Sequence, residues 1–167
     1  MGGSGSHSRT ARRARTARGS RRQCGGTQTV AEALAPVADA RPGDLTALSA
    51  EECRALLATR SVGRLAYVAR AGVPDIAPVT YVLDGGDVVL RSGPGPKLQA
   101  AERGDTVAFE VDDLDEEAHT GWSVVVVGRA RRVPASAGLA APEPWSSGPR
   151  RHLVRITPVR VTGRRLA

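Results

Sequence analysis

From Ser61 onward, apolar and polar positions along this chain follow a strand's period of two, and a helical period shows only twice. The first helical stretch opens at Ser49-Ala50-Glu51-Glu52, a capping box in which Ser49 caps and Glu52 reaches back. Cys53, Leu56 and Leu57 follow on one face, which predicts a helix ending near Thr59 with Cys53 in the core. VGRLAYVAR then predicts a strand with Val62, Leu65 or Ala66, and Val68 turned inward. Ala71-Gly72 reads as a turn. Residues 75–83, DIAPVTYVL, predict a second strand, and Pro78 within it marks an edge, a bulge or a ligand-facing break. Asp84-Gly85-Gly86-Asp87 predicts a hairpin turn into a third strand, DVVLR. Lys97 to Arg103 predicts a two-turn helix closed by Gly104. TVAFEVD reads as the fourth strand, residues 113–120 as an acidic loop, and GWSVVVVGRARRV as the fifth strand. The run Val124 to Val127 predicts burial on both faces of that strand. Residues 134–149, rich in Ala, Pro, Gly and Ser, read as a loop, and RHLVRITPVRVTGRR as a sixth strand interrupted at Pro158. Six strands with hairpin links and two short helices predict a small antiparallel β-barrel.

Composition narrows the picture. The 167 residues suffice for one domain with a core. Aromatics are 3% of residues, so the core must be aliphatic, and abundant valine favours strands. The net charge of +7 resembles a nucleic-acid signal until it is located. Residues 1–27 carry seven arginines and no acid; the remaining 17 bases balance the 17 acids. Residues 1–27 are therefore expected to be a disordered Arg/Gly/Ser tail, 28–47 a linker, and 48–167 the folded domain. The tail reads either as a basic arm for nucleic acid or as an incidental extension, and the neutral domain gives nucleic acid no other foothold. Cys24 and Cys53 fit neither a zinc site nor a disulfide framework, which points to a reduced, cytoplasmic setting. No apolar run is long enough to span a membrane, and the arginine-rich start lacks the apolar centre of an export signal.

The strongest chemical signal is the loop RSGPGPK, residues 91–97. It places Arg91, Ser92 and the chain's only lysine, Lys97, around two glycines at the start of a predicted helix. Cations, a hydroxyl and open backbone N–H groups at a helix N-terminus suit a phosphate. No Ser-His-Asp pattern, carboxylate pair or metal loop stands out, so no catalytic or metal-binding residue is assigned. The carboxylates of residues 112–117 read as a solvated loop. An enzyme built this way needs a cofactor to carry its reaction.

VGRLAYV, APVTYVLDGGDVVLRSGPGPKL, VAFEVDDLD, TGWSVVVVGRARRV and HLVRITPVRVTGRR together resemble the pyridoxamine 5′-phosphate oxidase-like family, the flavin-binding split barrels. The resemblance covers residues 48–166 and is nearest to the short bacterial branch that includes nitroimidazole-resistance proteins. It implies a six-stranded antiparallel split β-barrel of Greek-key type with short flanking helices. It also implies a homodimer with FMN at the interface and a small-molecule substrate, in a flavin-dependent oxidoreductase. Deazaflavin or haem are the alternative cofactors, and a non-catalytic binding protein the alternative role. By resemblance, Pro78, Val79, Thr80 and Tyr81 lie along the flavin ring, and Arg91, Ser92 and Lys97 surround the phosphate and ribityl chain. Ser123 stands where the oxidases carry a glutamine, Trp122 lies beside it, and Arg155 matches the arginine of the last strand. Two departures count against pyridoxal phosphate synthesis. Gly95-Pro96-Lys97 replaces Ser-Arg-Lys, and the C-terminal tryptophan and Arg-Leu-His-Asp-Arg motif are absent.

Overall fold

The computed structural model describes residues 1–2, 45–143, 145 and 148–166. Most of the expected tail and linker, with Cys24, lies outside the described residues. The chain divides into two compact units, 1–36 and 37–167, and every element below belongs to the second. The elements are β1 (Leu45–Ala47), α1 (Ala50–Leu57), β2 (Val62–Val68), β3 (Pro74–Asp84) and β4 (Asp87–Ser92). They continue with α2 (Pro96–Arg103), β5 (Thr106–Asp115), β6 (Thr120–Val133) and β7 (His152–Leu166).

The strands order as β1-β7-β4-β3-β2-β5-β6, and β6 also pairs with β7. That last pairing closes β2 to β7 into the six-stranded antiparallel barrel that the sequence predicts. The final strand lies between β4 and β6, so the chain returns in Greek-key fashion. Among the described residues no helix is long and apolar enough to cross a membrane.

Local chemistry sets the boundaries. The Ser49 hydroxyl accepts from Glu52 N at 3.2 Å, and Glu52 accepts from Ser49 N at 2.8 Å, closing the capping box. Gly85 and Gly86 take φ of +59° and +93°, as a two-residue hairpin turn of primed type requires. The core is mainly valine, leucine and isoleucine around Phe109, which is fully buried. The Tyr81 ring meets Phe109 edge-on, with centroids 4.8 Å apart. Cys53 is buried and free, as the helical pattern implies.

The structure corrects several details. A short strand not expected from sequence, β1, lies within the expected linker and pairs with Arg164 to Leu166 of β7. In β2 the inward residues are Gly63, Leu65 and Tyr67, while Val68 is exposed. Tyr67 can turn inward because its hydroxyl finds Asp75 at 2.5 Å. β5 continues to Asp115, and the acidic stretch is partly paired: Asp112 with Arg64, and Asp113 with Arg60. Within the run Val124 to Val127 only Val124 and Val126 are fully buried, so the run is two-sided only in part. Pro158 does not interrupt β7. Gly128 pairs with Pro158 and Val127 with Arg160, so Val159 bulges and the strand continues.

Candidate functional site

β4 ends at Ser92, and the glycine-proline loop carries the chain into α2 at Pro96. Proline suits the first helical position because it has no N–H to leave unpaired. Gly95 precedes it at φ +140° and ψ −172°, a region that is essentially glycine's alone. No side chain caps α2. Its first-turn N–H groups therefore face whatever occupies the loop. Lys97 sits in that first turn. Ser92 is buried, and its hydroxyl donates to Gly93 O at 2.8 Å, which stiffens the loop.

This loop forms one wall of a cleft of about 400 Å³. Tyr67 from β2 and Pro149 and Arg150 from the segment before β7 complete it. Burial pushes the Lys97 ammonium below the usual lysine range, and the Arg150 charge pushes the same way, while Asp75 opposes both. Among the described residues the Lys97 ammonium has no hydrogen bond or ion pair. Two cations facing one glycine-lined space favour an anion between them. Burial, then the bond to Asp75, raises the Tyr67 phenol to about 12, so it stays a neutral donor on Asp75.

A second cleft of about 230 Å³ shares Arg150 with the first. Val62, Pro78, Val79 and Thr80 supply a mostly apolar wall, and Arg91 and Trp145 flank it. β3 pairs with β2 through Pro74 to Thr80 but with β4 only from Tyr81 to Asp84. Along Pro74 to Thr80 the far edge of β3 therefore has no strand partner among the described residues. That edge offers backbone donors and acceptors to a ligand. Arg91 lines this cleft while its Nε donates to Pro142 O at 2.9 Å.

Of the ten residues singled out from sequence, six come together here. Pro78, Val79, Thr80 and Arg91 line the second cleft, and Ser92 and Lys97 the first. Tyr81 turns into the core, where its hydroxyl donates to Leu57 O at 2.5 Å and burial raises it to about 12. Trp122 packs against the core and borders a shallow surface near Asp113 and Leu114. Ser123 pairs across the sheet with Asp112 and Arg164. Arg155 forms an ion pair with Asp87 at 3.4 Å. These last three line neither cleft. Sequence reasoning missed Tyr67, Trp145 and Arg150. A signal for Arg150 exists: Ser-Gly-Pro occurs at 92–94 and again at 147–149, each leading toward a cation of the first cleft.

The described residues thus form a closed antiparallel barrel with a cation-lined cleft at a helix N-terminus. The chain belongs to the pyridoxamine 5′-phosphate oxidase family, whose family model matches residues 49–165. It is 36% identical over 132 residues to an uncharacterised protein of Mycobacterium tuberculosis, covering 74% of this chain and 86% of that one. Among solved structures it resembles the FAD binding protein from Mycobacterium smegmatis, at 36% identity and a TM-score of 0.57. That match covers 74% of this chain and 99% of the other. An FAD-binding protein from Mesorhizobium loti matches at 26% identity and a TM-score of 0.61, with coverage of 74% and 99%.

Proposed function

We propose that this protein binds a flavin nucleotide and acts as a flavin-dependent oxidoreductase on a small molecule. The observation that carries the reading is the pair of cations, Lys97 and Arg150, facing a glycine-lined cleft beside the α2 N-terminus. A phosphate fits that donor set, and the adjoining apolar slot along Pro78 to Thr80 fits a planar ring. A bound flavin supplies hydride or electron transfer. The chain's own residues bind and orient: Lys97 and Arg150 hold the phosphate, and the open β3 edge meets the polar rim of the ring. Apolar Val62 and Val79 keep water from one face.

FMN is the first reading, because its terminal phosphate matches two converging cations. FAD is the second, favoured by the FAD-binding proteins at 36% and 26% identity. The reading extends to a homodimer. Val68, Val73 and Ile76, at 45%, 58% and 65% exposure, leave an apolar surface beside the β2–β3 hairpin for a second barrel.

Mass spectrometry of the ligand released by denaturing the purified protein tests this reading. FMN is the expected mass, and FAD selects the second reading. A deazaflavin, haem or no ligand, with no uptake of added FMN or FAD, overturns both.

A further inference from the structure

The second cleft has one wall that the site described above does not use. Trp145 is 77% exposed, more than any other large apolar side chain among the described residues of the barrel unit. An indole left so far in water is costly unless something covers it. It lines the same slot as Pro78, Val79 and Thr80. Described residues on either side of it have fixed neighbours. Before it, Ala140 N donates to Asp84 at 3.2 Å, and Arg91 Nε donates to the carbonyl of buried Pro142 at 2.9 Å. After it, Pro149 and Arg150 form part of the first cleft. An exposed indole sharing a slot with a strand edge and two arginines suits a flat conjugated ring.

We infer that Trp145 stacks on the planar ring of the ligand, and that Arg91 is a positioning residue that holds the Trp145 segment through Pro142. This rests on the reading of the second cleft as the ring end of a flavin site. It gives Arg91 a different task from the phosphate contact expected from sequence. Its guanidinium reaches the loop carbonyl, and the phosphate is left to Lys97 and Arg150.

The test uses the full chain with FMN and with FAD as probes. Affinity comes from equilibrium dialysis, and contact from tryptophan emission. The chain has two tryptophans, and Trp122 is packed against the core, so Trp145→Phe separates their signals. Flavin should quench the emission that Trp145→Phe removes. Trp145→Ala should weaken binding by about tenfold, within the range of aromatic stacking measured by truncation, and Trp145→Phe should recover most of it. Its high exposure predicts an unchanged melting temperature for Trp145→Ala. Arg91→Ala should weaken binding by a similar factor, and the double variant should be little weaker than either single one.

Equal affinity of Trp145→Ala and the wild type overturns the stacking role and leaves the flavin reading standing. Multiplying losses in the double variant overturn the positioning role of Arg91. A wild type that takes up neither FMN nor FAD overturns the flavin reading and this inference with it.

Discussion

At Gly63 an added Cβ would lie 2.4 Å from the Phe109 ring, whereas at Gly95 it would meet nothing within 4 Å. Both glycines serve the fold, in opposite ways. In the barrel wall, glycine lets β2 lie against Phe109 without a gap. In the cleft, glycine lets the chain take a conformation closed to other residues and keeps a space open. The two tyrosines repeat the contrast. Tyr81 secures the wall by bonding to the carbonyl of Leu57, and Tyr67 borders the cleft with its hydroxyl on Asp75. One region is filled; the other leaves an opening that cations border. Stability should reside in the first and ligand affinity in the second.

Phe109→Ala should break that contrast hardest, because it empties the fully buried centre of the wall. The expected loss is about 3–5 kcal/mol of unfolding free energy, read from denaturant midpoints. Gly63→Ala comes next, at about 1–3 kcal/mol, since its methyl would meet both Phe109 and the backbone oxygen of Glu110. Gly95→Ala sharpens the comparison. It meets no atom, so its cost is backbone strain of about 1 kcal/mol, and nucleotide affinity should fall as the loop shifts. Equal stability losses for the two glycine variants, with unchanged affinity, would erase the distinction.

The smallest effect is alkaline. Tyr81 is raised to about 12 in the folded chain, above the ordinary phenol value near 10, so its neutral form is favoured by folding. Its contribution is complete below the unfolded value and is lost as pH rises from about 10 through about 12. Tyr81→Phe should cost about 1 kcal/mol at neutral pH by leaving the Leu57 carbonyl unpaired. It should also flatten the alkaline loss, with Tyr67 supplying what remains. Midpoints collected across that window would show an unaltered slope if Tyr81 is not the group involved.

The strands were legible because alternation reports directly on a half-buried sheet, and the turns because DGGD and the capping box are local chemistry. The phase of β2 was not. Val68 looks inward by hydropathy, but Gly63 must sit beneath Phe109, and that constraint comes from β5. β1 is three exposed residues whose only cause is its pairing with β7. The loop at Lys97 was legible because its cation, glycines and helix start are adjacent in sequence. Arg150 and Trp145 join it only because β7 pairs with β4 and brings the preceding segment across the loop. The bond from Arg91 to Pro142 was not legible either, since it depends on that same return of the chain.

The phosphate role proposed for Lys97 and Arg150 is open to a direct test. Binding of FMN and of riboflavin, which lacks the phosphate, should be compared by titration calorimetry on the wild type and on Lys97→Ala. FMN should bind the wild type at least about tenfold tighter than riboflavin, as a charge-assisted contact warrants. Lys97→Ala should remove most of that difference without lowering the melting temperature. Equal affinity of the wild type for FMN and riboflavin, or a preference for FMN that survives intact in Lys97→Ala, would contradict it.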